Sequence, residues 1–377
     1  MALVMPEKYK QEILKLAKAG FEVYLVGGCV RDHLLSRPIK DFDIITTATP
    51  DEGLKVYPNA ITLAKKFGVL RVPVGDGEFL DVATARKDGP YTDQRHPDYV
   101  EYSSVMDDLK RRDFTVNALL YDIDKDEVVD MVGGLLDLQN KVLKAVGKAE
   151  ERFQEDPLRI WRGVRFQVKL GFKLEAETKL AMQKLVSLAS TPSKERIYTE
   201  LKESCLVDSS KTVDILNELG LMDYFKPNFK TQPVGDFSWE EFLLFAFEEV
   251  SSKEMVKKLS LTKDEVKFVE KFKPLLEKVS KFGTLSLKEK NRLKYHPSKN
   301  SLVSFLLKVG RKLPNFNYES KLSYQMFDRL QTSATELMNL GLVGGAISTT
   351  QKELMEKVLS EEITSVEEKD SFLKSIK

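Results

Sequence analysis

The sequence changes period once, near residue 138, and that change constrains its fold more than any other feature. Before it, short apolar segments with polar alternation are divided by glycine turns: 22–26 (EVYLV, running into Gly27-Gly28), 41–45, 60–63, 69–74, 79–85 and 127–131. Period two marks half-buried strands. Residues 6–19 read as a helix, with Ile13, Leu14, Leu16 and Ala17 on one side and Gly20 behind it. Residues 29–36 read as a short helix, 86–99 as a mobile polar loop, and 106–121 as opening with a charged helix. Beyond about 139, strand signals nearly vanish and helical periodicity runs to the C-terminus. The expected fold class is α+β: a small mixed head followed by an all-helical remainder. Breaks in that remainder are suggested by TPS at 191–193, VDSS at 207–210, KPNFKTQPVGD at 226–236 and KYHPSKN at 294–300.

At 377 residues the chain is long enough for two to four modules. It is 42% apolar and 31% charged, as expected of a soluble globular protein. No apolar run approaches the ~18 residues of a membrane span. The first residues lack an apolar core and a cleavage site, so no signal peptide is expected. Two cysteines, Cys29 and Cys205, cannot build a disulfide framework or a zinc quartet, and a reducing cytoplasm is the simplest compartment. Net charge is only +1, but it is unevenly spread. Residues 1–138 hold 18 Lys and Arg against 24 Asp and Glu, and residues 139–205 hold 14 against 9. An acidic first part suits metal ions and a basic second part suits phosphate, although ordinary solvated surface fits the same numbers.

Asp41 and Asp43 stand two apart on an expected strand, so both would project to one side. Two Mg²⁺ ions at a phosphoryl or nucleotidyl transfer centre need carboxylates placed that way. Asp81, between Leu80 and Val82, is the candidate third carboxylate on a neighbouring strand. Gly27-Gly28 lies between a strand and a helix, where backbone N–H groups can approach a triphosphate unobstructed by Cβ atoms. Arg31 follows one turn later and can reach the same phosphates. Read alone, Asp-x-Asp also fits polar surface and Gly-Gly a tight turn. The spacing is neither GxGxxG nor GxxxxGK[ST], which excludes Rossmann and P-loop readings.

Together, GG-x-x-RD followed by DxD resembles the head of the class II tRNA nucleotidyltransferase and bacterial poly(A) polymerase family, within the polymerase β superfamily. Four further stretches are similar in the same order: RRDFTVNA at 111–118, DMVGGLLD at 130–137, EDPLR at 155–159 and SKERIYTEL at 193–201. The resemblance covers about residues 20–205. It implies a nucleotidyltransferase head at 1–138, a nucleotide-recognising neck at 139–205, a helical body at 206–295 and a tRNA-binding tail at 296–377. It implies an enzyme that adds CCA to the tRNA 3′ end from CTP and ATP, with Mg²⁺ and without a nucleic-acid template. The strand region AITLAKKFGVLRV and the loop RKDGPYTDQRHPDYVEY resemble those of full CCA enzymes rather than of poly(A) polymerases or CC-only enzymes. Gln94 stands where the family often has Gly, and Asp81 where Glu is common. The rivals are A-only addition and poly(A) synthesis.

The resemblance implies Asp41 and Asp43 as metal ligands, with Asp81 catalytic. It implies nucleotide contacts at Gly27, Gly28, Arg31, Arg111, Arg112, Asp113, Asn117, Asp156, Arg159, Arg162 and Arg165, leaving open which of Arg111 and Arg112 touches nucleotide. Base choice has its own physical argument. Asp156 is an acceptor and Arg159 a donor, and at i and i+3 on a helix they would lie side by side. Cytosine and adenine each present a donor beside an acceptor, whereas guanine and uracil present the reverse order. On the wheel, Leu158, Ile160, Trp161, Val164 and Val168 form an apolar arc opposite Asp156, Arg159 and Arg162, with Arg165 at its edge. Lys290 to Lys299 and Arg311-Lys312 are basic clusters that suit tRNA phosphates, or solvated surface. With only His33, His96 and His296, a fused metal-dependent phosphohydrolase is excluded.

Overall fold

The computed structural model describes residues 3–64, 68–93, 96–225, 237–247, 251–294 and 324–376. The chain divides into two compact units, Met1–Phe229 with Lys257–Ser260, and Lys230–Val256 with Leu261–Lys377.

The first unit opens with helix α1 (Glu7–Lys18), which buries Ile13 and Leu16. Strand β1 (Val23–Val26) then runs into Gly27, whose φ of +82° and ψ of −125° suit glycine alone. Helix α2 (Gly28–Leu34) starts there. Strand β2 (Asp43–Thr46) follows, then α3 (Pro50–Val56), capped by a reciprocal Thr49–Glu52 box with proline in its first turn. Strands β3 (Ile61–Ala64), β4 (Val69–Gly75) and β5 (Glu78–Thr84) complete one side of the sheet. Strands β6 (Arg86–Asp88) and β7 (Val100–Tyr102) pair with each other, followed by α4 (Val105–Lys110), β8 (Leu120–Asp122), β9 (Glu127–Val129) and α5 (Gly134–Gln139). The seven-stranded order is β3-β4-β5-β2-β1-β8-β9. Within this sheet, β2 and β5 pair in parallel and the other described neighbours antiparallel, with Asp43 opposite Asp81. Val26, Ile45, Ala85, Val105, Leu109, Leu120 and Val146 form a buried core against the sheet.

Three sequence expectations are corrected here. The second strand starts at Asp43, so Asp41 lies in the approach to it rather than on it. The expected loop at 86–99 begins in a strand and, at Val100, returns in another; the Gly89 N–H donates to the Tyr99 carbonyl. The helix expected from 106 stops at Lys110, because Phe114 turns extended and buries its ring completely.

Beyond the sheet lie α6 (Ala149–Glu155), α7 (Leu158–Leu170), α8 (Ala176–Lys184) and α9 (Lys194–Glu218). Two-residue strands β10 (Val142–Leu143) and β11 (Lys173–Leu174) tie this helical part together in parallel. Trp161 of α7 is buried, and its indole N–H donates to the Ala189 carbonyl at 2.8 Å. A Cβ at Gly163 would meet Met182 Cε at 2.8 Å and Phe114 Cζ at 3.2 Å, so glycine lets α7 seat closely on the sheet domain. At Asp208 the backbone leaves helical geometry, and its carboxylate recaps the second half of α9 through the Lys211 N–H.

The second unit is helical: Trp239–Ala246, Lys263–Ser280, Leu287–Lys294, Tyr324–Leu330, Ala334–Asn339, Gly345–Leu359 and Val366–Ser375. Phe327, Leu330, Leu337, Leu354, Val358 and Leu373 form a core within it. Of the expected basic clusters, Lys290 to Lys294 lie on a described helix, where Arg292 pairs with Glu356. Residues 295–299, Arg311 and Lys312 lie outside the described residues, as do Gln94 and Arg95. Among the described residues no helix is long and apolar enough to cross a membrane.

Candidate active site

Two cavities open on either side of Asp41 and Asp43. One, of about 960 Å³, is lined by those two aspartates and by every residue expected to hold nucleotide, from Gly27 to Arg165. Asp81 lines the other, of about 1360 Å³. Ten cationic side chains line the smaller cavity: Arg31, Arg37, Lys40, Arg111, Arg112, Arg159, Arg162, Arg165, Lys169 and Arg196. Only five acids oppose them: Asp32, Asp41, Asp43, Asp113 and Asp156. Such an excess in a concave site attracts a polyanion.

Topology makes the juxtaposition. Strand β1 is flanked by β2 and β8, which places the Gly27 turn, the Asp43 end of β2 and the chain before β8 at one edge. The Gly27 N–H donates to the Leu119 carbonyl, and a Cβ at Gly27 would sit 3.5 Å from both Arg112 Nη1 and the Asn117 carbonyl. Arg31 is buried and fixed, donating from Nη1 to Asn117 Oδ1 at 2.5 Å and from Nε to Asp32 at 2.9 Å.

Asp41 and Asp43 make no hydrogen bond or ion pair through their carboxylates among the described residues. Burial raises the Asp43 pKa, Arg112 opposes the rise, and the charges of Asp41 and Asp81 add to it. Carboxylates that repel each other and lack a protein partner form a hard oxygen donor set suited to a divalent cation. Asp81 is engaged differently. Both its oxygens accept from Arg71, at 2.8 and 2.9 Å, in a fork-to-fork pair. Among the described residues no three His, Cys, Asp or Glu converge into a metal cage.

Arg111 and Arg112 share one counter-ion that sequence reading missed. Asp108 is fully buried and accepts from both. Arg111 also pairs with Asp88, while Arg112 reaches the Gly27 and Asp43 side of the cavity. Asp113 is buried, which alone would raise its pKa. Arg162 at 2.5 Å, the Asn117 amide and the Phe114 N–H outweigh burial and hold it at about 2. Arg165 pairs with Glu200 at 2.5 Å. The guanidinium groups of Arg31, Arg162 and Arg165 lie 5.3, 5.2 and 4.3 Å from the centre of the Phe166 ring.

Asp156 and Arg159 line this cavity but do not share a helix, which corrects the i, i+3 argument. Pro157 disfavours helical backbone in the residue before it. Asp156 therefore adopts φ −139° and ψ 96° between α6 and α7. Its carboxylate caps α7 through the Leu158 N–H and pairs with Arg196 at 2.7 Å. Arg159 is buried and donates to the Arg111 carbonyl, the Arg152 carbonyl and Glu155. Of about four acceptor positions on Asp156 one stays open, and of five donors on Arg159 two do. Glu200 and Arg196 were also missed. Their only trace in the sequence was the SKERIYTEL segment, since their partners lie 35 and 40 residues away.

Residues 23–144 match the poly A polymerase head domain, and residues 171–232 match the probable RNA and SrmB-binding site of polymerase A. The CCA-adding enzyme of Streptococcus pneumoniae serotype 19F is 45% identical over 206 residues, which are 54% of this chain and 51% of that one. That of Streptococcus pyogenes serotype M3 is 40% identical over 238 residues, 62% of this chain and 58% of that one. The matched region thus spans little more than half the length of these relatives. Among solved structures, the Bacillus stearothermophilus CCA-adding enzyme in complex with CTP superposes with a TM-score of 0.63 at 23% identity, covering 99% of this chain and 98% of that one. The Thermotoga maritima CCA-adding enzyme complexed with tRNA gives 0.65 at 21%, covering 100% and 97%. At that identity the likeness is one of fold: a mixed-sheet head with a mostly helical remainder. The similarity is thus to the poly A polymerase head domain over residues 23–144 and to the probable RNA-binding segment over residues 171–232, on a fold shared with the superposed CCA-adding enzymes.

Proposed function

We propose that this protein is a CCA-adding tRNA nucleotidyltransferase that extends the tRNA 3′ end from CTP and ATP. The observation that carries the reading is the cavity in which a Gly-Gly turn, two unpartnered aspartates and ten cations meet the Asp156–Arg159 pair. Relatives at 40–45% identity bear the name CCA-adding enzyme, and the superposed structures include complexes with CTP, ATP and tRNA.

In the reaction, the RNA 3′-oxygen bonds to the α-phosphorus, the bond to the β-phosphate oxygen breaks, and pyrophosphate leaves. The backbone at Gly27 and Gly28, with Arg31 and Arg112, holds the triphosphate tail. Arg111, tied to Asp108 and Asp88, serves mainly to seat Arg159 through its carbonyl. Asp113 and Asn117 orient Arg162 and Arg31. Asp41 and Asp43 would hold Mg²⁺, which supplies charge neutralisation and Lewis-acid polarisation at the transferring phosphate. Asp81, once released from Arg71, is placed beside Asp43 to accept the hydroxyl proton.

The open acceptor of Asp156 and the two open donors of Arg159 are the groups that read the base. Cytosine offers its N4 donor and N3 acceptor to them, and adenine its N6 donor and N1 acceptor. Guanine or uracil would set acceptor against acceptor and donor against donor, costing about 1–3 kcal/mol for each unpaired group. Residues 1–138 serve as catalytic head and 139–205 as the base-reading neck. The body at 206–295 and the tail at 296–377 hold tRNA by phosphate and shape.

Three transcripts test this: tRNA ending before CCA, after one C, and after both. Each is incubated with CTP, ATP, GTP or UTP. The expected result is C, C, then A. Addition of A alone to the third transcript would identify an A-adding enzyme, and open-ended A addition a poly(A) polymerase. No incorporation on any transcript would refute nucleotidyl transfer.

A further inference from the structure

Arg37, Lys40 and Lys169 line the nucleotide cavity but have no part in the proposed transfer. The chain draws them together at one end. After α2 it turns through Ser36, whose φ of +53° belongs to the left-handed cap usually made by glycine. The Arg37 N–H then closes onto the Asp32 carbonyl at 2.8 Å, and the Arg37 guanidinium donates to the Lys169 carbonyl at 2.9 Å. That bond ties the segment carrying Lys40 to the last turn of α7. Arg159, Arg162, Phe166 and Lys169 follow at helical spacing and all line the cavity, so they share one face of α7. From Arg159 to Lys169 the helix rises about 15 Å, comparable with a nucleoside triphosphate drawn out from base to terminal phosphate. Arg31, proposed to hold the triphosphate tail, has its guanidinium 5.3 Å from the Phe166 ring centre, so the tail lies toward the Lys169 end.

We propose that Lys169, with Lys40 near it, is the specificity determinant for tail length: it holds the terminal phosphate of the incoming nucleotide and then the leaving pyrophosphate, so that one face of α7 reads the base at one end and the tail at the other. The proposal rests on the nucleotidyl-transfer reading. Lys169 is half-buried, and its ammonium makes no hydrogen bond or ion pair among the described residues. Burial, then the Arg31 charge, lowers its pKa, and Arg165 and Lys40 add to the crowding. Asp32 pulls the other way but is already paired with Arg31 at 2.8 Å. Cations crowded in this way are relieved by an anion that reaches all of them. A monophosphate held at the base would stop short of Lys169, and a triphosphate would reach it. A lysine in the last turn of a helix can also serve only to complement the helix C-terminus, in which case its loss would loosen α7 and leave nucleotide binding alone.

The test measures ATP incorporation by the full chain into the transcript ending after both C residues, with inorganic pyrophosphate or AMP as inhibitor. Lys169→Ala should raise the KM for ATP and the inhibition constant of pyrophosphate each about 10-fold, the effect of one lost charge-assisted contact. The inhibition constant of AMP should stay within about 2-fold. Lys169→Arg should keep all three constants near wild type. Lys173→Ala removes the same charge from an exposed site outside the cavity and should change none of them. Hydrogen exchange of α7 checks the fold. Should Lys169→Ala loosen α7, Lys40→Ala, at an exposed position, decides: it should raise the pyrophosphate constant about 3-fold, and no change would overturn the subsite. If wild type extends no transcript, the transfer reading falls and the subsite with it. If wild type extends RNA and Lys169→Ala keeps both constants, raises the AMP constant equally, or is matched by Lys173→Ala, the subsite alone is overturned.

Discussion

Asp113→Asn isolates the contribution of one buried charge. The Arg162 guanidinium, the Asn117 amide and the Phe114 N–H hold the carboxylate at about 2, below the ordinary carboxylate range, which is worth on the order of 2 kcal/mol. The sign follows from the direction. A folded pKa below the unfolded one adds stability that is complete above about pH 4 and disappears as pH falls through about 2. Asparagine keeps the shape and its contact to the Phe114 N–H, but leaves Arg162 only the more distant Glu200, at 3.7 Å, as an ion-pair partner. Because the chain has two units, a single unfolding free energy would mix them. Hydrogen exchange of the Leu158–Leu170 helix reports locally. Its protection factors should drop on the order of 30-fold at pH 7, the equivalent of about 2 kcal/mol, and the difference from wild type should shrink below pH 4. A loss under about 3-fold, or one independent of pH, would refute the electrostatic reading.

Asp41→Ala or Asp43→Ala should abolish nucleotide incorporation and leave the same exchange pattern intact; full activity in either removes the metal assignment. Gly134→Ala should cost about 1–3 kcal/mol or more, since its Cβ would lie 2.4 Å from the Thr115 carbonyl oxygen. Gly163→Ala should cost less, because the nearest atom, Met182 Cε, ends a flexible side chain; thermal melts of both variants check the order. Asp156→Asn should weaken discrimination against UTP and GTP by about 10-fold, measured as kcat/KM ratios on the transcript ending in CC. Burial pushes the Cys29 thiol up to about 11 and Cys205 higher still, so iodoacetamide at pH 8 should label neither until the protein is unfolded.

What the sequence disclosed and what it concealed divide along a physical line. Period, turn glycines and close motif spacing are local, and they placed most strands, the Gly27 turn and Asp43 at the start of its strand. The counter-ions are not local. Asp108 looks like one more acid in a charged helix, yet it is wholly buried between two arginines. Arg71 faces Asp81 only because β4 and β5 pair antiparallel in that register. The placement of Asp156 was legible and was overlooked: the proline after it disfavours a continuous helix there.

On the proposed function, that proline changes what kind of base reader the site would be. Two side chains on one rigid helix would keep a fixed separation. Here Asp156 sits in the extended link between α6 and α7, anchored by Arg196 of α9, while Arg159 sits on α7, anchored by the Arg111 carbonyl. Acceptor and donor are thus held by different elements, and their separation is set by how α9 and the segment at Arg111 bear on the link. Cytosine and adenine place their donor–acceptor edges at different distances from the sugar. A reader assembled from two supports can fit both with small rotations about residues 156 and 157. Arg196→Lys, which keeps the charge but loses the two-pronged grip on Asp156, should therefore change the ratio of CTP to ATP use more than it changes the rate with either nucleotide alone. Equal losses with both nucleotides would show that Arg196 only stabilises the fold.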